Sequence, residues 1–403
     1  MAKRIFLHVG TPKTGTSFLQ DVLFRNRELL AQHGIVYPAD RFDAHFLAAV
    51  DLLKLPWGGL EADARGAWAD LAAKVRAAEG TVIVSHEILA VASAAQARRA
   101  IADLGEAELH LVVSARDLVR QIPAEWQENV KYRSEISYAR FLTALRNPRR
   151  SGRVASWFWT AQEVPDILRR WGAAGLPPER VHVVTVPQPG APRDLLWQRF
   201  ARVLGLEGLP LDLTAERANV SLGVPETALV RRLNRATRHS LAPDVHRPFV
   251  LELLAHRTLA QRTGSPRLTL PRREHRWVQE TTETWIAALE KAGYDVVGDL
   301  AELRGVRPPR RHADPDSVVT TAPDQVVDAA VDAIAALVEE AARLRRREVD
   351  LERELADTRH QLAEARNVSV RRRAAEKVVA RLERGGAGRR VLGAYRSARG
   401  RAE

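Results

Sequence analysis

Four segments of the chain, residues 5–9, 81–85, 109–114 and 181–186, are nearly continuous runs of β-branched and other apolar residues. Runs of strand length without polar alternation predict strands buried on both faces of a parallel sheet. Between and after them apolar positions recur at helical spacing, over residues 17–33, 62–78, 94–103, 117–131, 159–171 and 193–204. Strand and helix in alternation imply right-handed crossovers and an α/β fold, a parallel sheet flanked by helices. Two further helical patterns, 226–238 and 273–291, end the globular part near residue 304.

Beyond that point the pattern changes. Residues 305–325 are rich in proline and polar residues and predict an extended linker. From 326 to 366 a seven-residue repeat takes over. Val327, Ile334, Ala341, Glu348, Leu355 and Leu362 occupy one position, and Ala330, Leu337, Leu344, Leu351, Thr358 and Ala365 the second, three residues later. With Glu and Arg interleaved, this predicts a C-terminal coiled coil and a homo-oligomer, its seam weakened at Glu348 and Thr358.

Charge sharpens this division. The 403 residues carry 62 Lys plus Arg against 50 Asp plus Glu, a formal +12. Residues 371–403 hold ten Arg and one Lys against three Glu, so +8 of the excess lies within the tail, 367–403. Such a tail predicts contact with an anionic lipid or another polyanion. Aromatic interleaving stops at Tyr395, so stacking on nucleic-acid bases is not predicted. The absence of cysteine excludes disulfide frameworks, thiolate metal sites and cysteine nucleophiles. The apolar run before Gly10 is too short for a signal peptide, and no stretch reads as membrane-spanning, so the expected location is cytoplasmic, with a peripheral membrane contact open to the tail.

The chemistry is concentrated after the first strand, in Gly10-Thr11-Pro12-Lys13-Thr14-Gly15-Thr16-Ser17. A glycine-rich turn opening a helix puts successive backbone N–H groups and a helix N-terminus at one point, a cradle for phosphate. Gly10 and Gly15 have Walker A spacing, and Ser17 stands at its final hydroxyl, but Thr16 occupies the lysine position and the lysine is Lys13. A lysine inside the loop suits a phosphate nearer the first than a triphosphate tail.

The run from Pro12 to Ser17 resembles the 5′-phosphosulfate loop of sulfotransferases that use 3′-phosphoadenosine 5′-phosphosulfate (PAPS), a likeness that covers residues 3–304. The resemblance implies a P-loop-like three-layer core. It implies a 5′-phosphate held by Pro12, Lys13, Thr14, Gly15, Thr16 and Ser17, with Lys13 on the departing oxygen and no metal. The segment from Leu109 to Glu128, a strand ending in an arginine and running into a helix, resembles the family's second signature, in which that arginine, here Arg116, grips the 3′-phosphate. The family's serine eight residues on is Ala124 here, leaving Ser114 or a later loop to compensate. Arg217, Asn219 and Ser221 lie where the family closes a loop over the nucleotide, and read equally as cap and turn residues. The segment starting at Tyr294 is family-like and structural.

Sulfuryl transfer also needs a base at a neighbouring strand end. His86 and Glu87 both fit, a histidine being usual in cytosolic sulfotransferases and a glutamate in carbohydrate ones; extended neighbours point opposite ways, so one of them is expected to face the donor, with Glu87 preferred. His45 is a third candidate, and His8 reads as a packed residue. Trp57, Trp126, Trp157 and Trp159 are candidates either to stack on an acceptor or to fill the core. The expected activity is transfer from PAPS to a hydroxyl or amine, with carbohydrate or glycolipid preferred as acceptor. The competing readings are a P-loop nucleotide kinase or hydrolase, which would want lysine at position 16, and a coiled-coil assembly protein with an anion-binding tail.

Overall fold

The computed structural model describes residues 4–57, 59–214, 221–310 and 313–399. Its centre is a six-stranded sheet of β1 (Arg4–His8), β2 (Ile35–Val36), β3 (Thr81–Ser85), β4 (Glu108–Ala115), β5 (Val181–Thr185) and β6 (Asp295–Val297). The order is β2-β3-β1-β4-β5-β6 and every pairing is parallel. The expected strands are present; β2 and β6, two and three residues long, lie at the edges.

Helices fill the crossovers. Between β1 and β2 run α1 (Thr16–Arg25) and α2 (Arg27–Gln32), divided at Asn26 where a single helix is predicted. Next come α3 (Ala44–Leu53) and α4 (Ala67–Ala77) before β3, and α5 (Ala94–Leu104) before β4. From β4 to β5 the chain forms α6 (Leu118–Lys131), α7 (Tyr138–Arg146), α8 (Arg153–Gln162) and α9 (Val164–Arg170). After β5 follow α10 (Leu195–Leu204), α11 (Val224–Thr237), α12 (Pro243–His246), a π-helix over Arg247–Thr258, and α13 (His275–Ala292). On one face of the sheet, Phe6, Ile83, Val112, Val184 and Val297 pack with Leu19, Val22 and Leu23 of α1 and Phe200 and Leu204 of α10. Their neighbours in sequence, among them Leu7, Val84, Leu111 and Val183, are equally buried, as the period of two in a strand requires when both faces are covered.

The proline-rich segment is pinned down rather than extended. Asp316 accepts hydrogen bonds from the amides of Tyr138 (3.2 Å) and Ala139 (3.0 Å) at the start of α7 and pairs with Arg231 at 3.1 Å. A carboxylate there complements the positive end of α7. Val318 of α14 (Val318–Thr321) joins Val224, Ala228 and Val326 in a small apolar cluster. The 62-residue helix α15 (Pro323–Arg384) buries Val326, Ala329 and Ala333 in its first turns. Contacts divide the chain after Ile334. The basic segment continues as helix, through the end of α15 and α16 (Gly386–Arg399). No helix among the described residues is long and apolar enough to cross a membrane.

Candidate anion site at the end of β1

From β1 the chain leaves toward β2 and from β4 toward β5, so the connections diverge between these two neighbouring strands. Such a switch point is where open parallel sheets hold ligands, outside the carboxyl ends of the strands. The loop Gly10–Ser17 and Arg116 both stand there.

The loop is tied to β4. Thr11 donates to the Ser114 carbonyl through its amide (2.9 Å) and its hydroxyl (3.1 Å). The Ser114 amide and hydroxyl donate to the Gly10 carbonyl at 2.5 and 2.9 Å, and the Ser114 hydroxyl lies 2.5 Å from that of Thr14. Ser114, expected as a phosphate contact, here braces the loop from below. His8 Nδ1 lies 2.8 Å from Ser85 Oγ, and its Nε2 is 3.3 Å from Ser114 Oγ, so a packed histidine joins three strands under the site. Burial brings its imidazole down to about 4, so it is neutral at neutral pH.

This bracing leaves a run of donors. The amides of Lys13, Thr14, Gly15, Thr16 and Ser17 reach no backbone carbonyl among the described residues, and no side chain caps α1. Lys13 sits at φ 65° and Gly15 at φ 87°, left-handed conformations that curl the chain about its own N–H groups. Gly15 has no Cβ to collide; one built there would lie 2.6 Å from Leu196 Cδ2. The Arg116 guanidinium donates to the Lys13 carbonyl at 3.1 Å. Burial, with Arg120 adding repulsion, pulls it to about 10, so it stays charged at neutral pH.

The side chain of Lys13 is held by α6. Its ammonium meets Glu128 Oε2 of α6 at 2.5 Å, and Lys131 approaches the same oxygen at 3.6 Å. Burial alone would raise Glu128, but Lys13 and Lys131 outweigh it and hold the carboxyl below its ordinary value. Glu87 accepts from Gln20 at 2.7 Å and lies 3.8 Å from His86 Nδ1. Its burial is likewise overcome, by His86 and Gln20, and its carboxyl is held low. His86 and Glu87 do not point opposite ways as extended neighbours would, because the strand ends at Ser85. His86 is the cap of a 3-10 turn over Glu87–Val91, its Nδ1 accepting the Ile88 amide at 3.2 Å. His45 Nδ1 accepts the Ser85 amide at 3.3 Å; burial holds this imidazole at about 4.

One residue of the cluster has no counterpart among the sequence candidates. Glu125 is 5% exposed, and burial lifts its carboxyl to about 7, with Glu128 pushing the same way and Lys13 opposing. Its sequence signal was a polar stripe, Gln121, Glu125 and Glu128, on an otherwise amphipathic helix. The tryptophans divide. Trp126 and Trp159 are buried and donate to the carbonyls of Ile136 (3.0 Å) and Leu145 (3.1 Å). Half-buried Trp57 and Trp157 face each other with ring centres 6.2 Å apart, and Trp57 also meets Tyr132 at 6.2 Å and Phe46 at 5.7 Å. Arg217 and Asn219 lie outside the described residues. No protein-family model matches the chain, and searches of the curated proteins and of the solved structures also return no match.

Proposed function

We propose that this protein is a sulfotransferase that moves the sulfuryl group of PAPS to a hydroxyl or amine acceptor, in line and without a metal. The observation that carries this reading is the row of five unengaged amides from Lys13 to Ser17, flanked by two cations, Lys13 and Arg116, at the switch point of the sheet. Fixed N–H dipoles and a helix N-terminus favour a phosphate, and Arg116, beside Asp117 and hydrogen-bonded to the Lys13 carbonyl, offers a fork to a second. An amide cradle with an arginine fork beside it is in keeping with a 3′,5′-bisphosphate. Lys13, inside the loop, would neutralise the oxygen that takes the bonding electrons as sulfur leaves.

To do so, Lys13 must exchange Glu128 for the nucleotide. Hydroxyls of Thr16 and Ser17 have no protein partner among the described residues and add donors to the same cradle. The aromatic row of Phe46, Trp57, Tyr132 and Trp157 supports a ring-shaped acceptor, in keeping with a carbohydrate or glycolipid, through stacking on its apolar faces. The C-terminal helix is read as the element that assembles copies of the chain, and the basic tail as its contact with polyanions.

A thermal-shift measurement with 3′-phosphoadenosine 5′-phosphate (PAP) beside ATP and magnesium tests the assignment. Binding to the native state alone raises the midpoint, so PAP is expected to stabilise the wild type. Lys13→Ala should lose most of that shift, with its unliganded midpoint lowered by the loss of the ion pair to Glu128. Stabilisation by ATP and magnesium without a response to PAP would replace the sulfotransferase with a nucleotide kinase or hydrolase.

A further inference from the structure

On α6, Gln121, Glu125 and Glu128 follow one another at spacings of four and three, which puts them on one face of the helix. That face meets the phosphate loop. Gln121 Nε2 donates to the Pro12 carbonyl at 2.6 Å, and Glu128 holds Lys13 at 2.5 Å. Glu125 stands between these two contacts. It is buried, its Oε1 accepts a long bond from Asn129 Nδ2 (3.3 Å), and the Trp157 and Gln162 side chains lie within hydrogen-bonding reach of it. Trp157 belongs to the aromatic row, so Glu125 sits where the loop's cation adjoins the aromatic wall.

We propose that Glu125 is the catalytic residue that takes the acceptor's proton, with Lys13 as its charge partner. This rests on the sulfotransferase reading above. In the step, the acceptor oxygen or nitrogen forms a bond to sulfur while the bond from sulfur to the 5′-phosphate oxygen breaks. The phosphate keeps that electron pair, and the acceptor's proton passes to a Glu125 oxygen; no other reactant is needed. A carboxylate near 7 is ionised enough to accept a proton at neutral pH and basic enough to keep it. Glu87, held low by His86 and Gln20, is the poorer acceptor.

The product complex is then one with PAP bound and Glu125 protonated. Bound PAP draws Lys13 away and adds negative charge, and both changes favour the protonated acid. The other titrating groups around Glu125 are Glu128 and Lys131 of the same helix, Lys13 of the loop and His256 of the π-helix, whose charges act on one another. PAP itself titrates near pH 6, so a difference between variants is required.

Calorimetric titration of the full chain with PAP at pH 7, in buffers of different ionisation enthalpy, reads the protons exchanged. The wild type should take up about half a proton more per PAP bound than Glu125→Gln, since a group near 7 is half protonated beforehand. Glu87→Gln should match the wild type. Trp157→Phe, which removes a bond to the ionised carboxylate, should move the pH of half-maximal uptake upward; this keeps a test in hand where Glu125→Gln does not fold. Equal uptake in wild type and Glu125→Gln, no uptake by the wild type, or a loss of uptake in Glu87→Gln would each overturn the assignment to Glu125 alone. Failure of the wild type to bind PAP at all would overturn the nucleotide reading beneath it.

Discussion

Lys13 and His8 are five residues apart, yet the fold pairs one with Glu128 at the site and keeps the other neutral beneath it. Burial holds the imidazoles of His8, His45 and His246 at about 4, while it raises the Glu125 carboxyl to about 7. Below pH 6.5 the unfolded chain protonates the three histidines and the folded chain does not, so folding loses ground as pH falls toward 4. Glu125 acts in the opposite sense, because its folded form binds the proton between about 7 and its ordinary value of 4.5. His86, His110, His256 and His275 are also held below their ordinary value and act with these three, so the histidines decide the sign. Near pH 5.5 the three histidines at about 4, less Glu125, alone leave about two protons, which corresponds to about 2 to 3 kcal/mol of stability lost per pH unit. Urea unfolding at pH 6.5 and 5.5 measures this directly, and an unchanged midpoint would refute it. At this scale the loop hydroxyls, Lys13 and Arg116 were legible in the chain because adjacent residues share one turn. Glu125 was not, since its environment is made by residues from the loop, α8 and its own helix, far apart in sequence.

Strands were legible in proportion to their length. The strands β1, β3, β4 and β5 differ from their apolar runs by at most one residue at either end, whereas β2 and β6 are too short to show a period. The helices α3 and α7 were not anticipated, and two predicted helices are each broken in two, at Asn26 and at Glu163 before Pro165. Proline in the first turn of α9 fits a new start, because that N–H needs no helical partner. The loop between β1 and α1 carries the clearest element-scale consequence. Gly15 caps α1 at φ 87° and ψ 13°, where alanine pays a left-handed penalty of about 1 kcal/mol, and its Cβ would press on Leu196. Leu196 contributes only a flexible side-chain end to that clash, so Gly15→Ala should fold with about 1 to 2 kcal/mol less stability. The amides of Gly15 to Ser17 would be re-aimed, and the thermal stabilisation by PAP should largely vanish. A variant with an undiminished PAP shift would show that these amides do not hold the phosphate.

At the scale of the whole molecule, α15 is the element whose own chain does not account for it. Sixty-two residues make a helix about 93 Å long. Past its buried first turns, Ile334, Leu337, Leu344, Leu351, Leu355 and Leu362 are 37 to 69% exposed, all on the heptad positions read from the sequence. A helix of this length is stabilised in water by burying an apolar stripe rather than by propensity alone. The stripe repeats every seven residues, the period that lets two or more such helices wrap about each other, and a second copy of the chain supplies a matching stripe in register. Interleaved ion pairs at intervals of three, Arg343 with Glu340 at 2.7 Å and Arg345 with Glu348 at 2.6 Å, keep the flanks soluble and add little to the association. The full chain is therefore expected to sediment at a multiple of its 44.9 kDa. Replacing Leu344, Leu351 and Leu355 together by glutamate should return it to 44.9 kDa, because like charges would then face one another along the seam. PAP stabilisation should survive that change, since the substitutions lie outside residues 1–334, the unit that holds the loop, Arg116 and Glu125. A wild-type chain that sediments as a monomer at micromolar concentration would refute assembly through this helix.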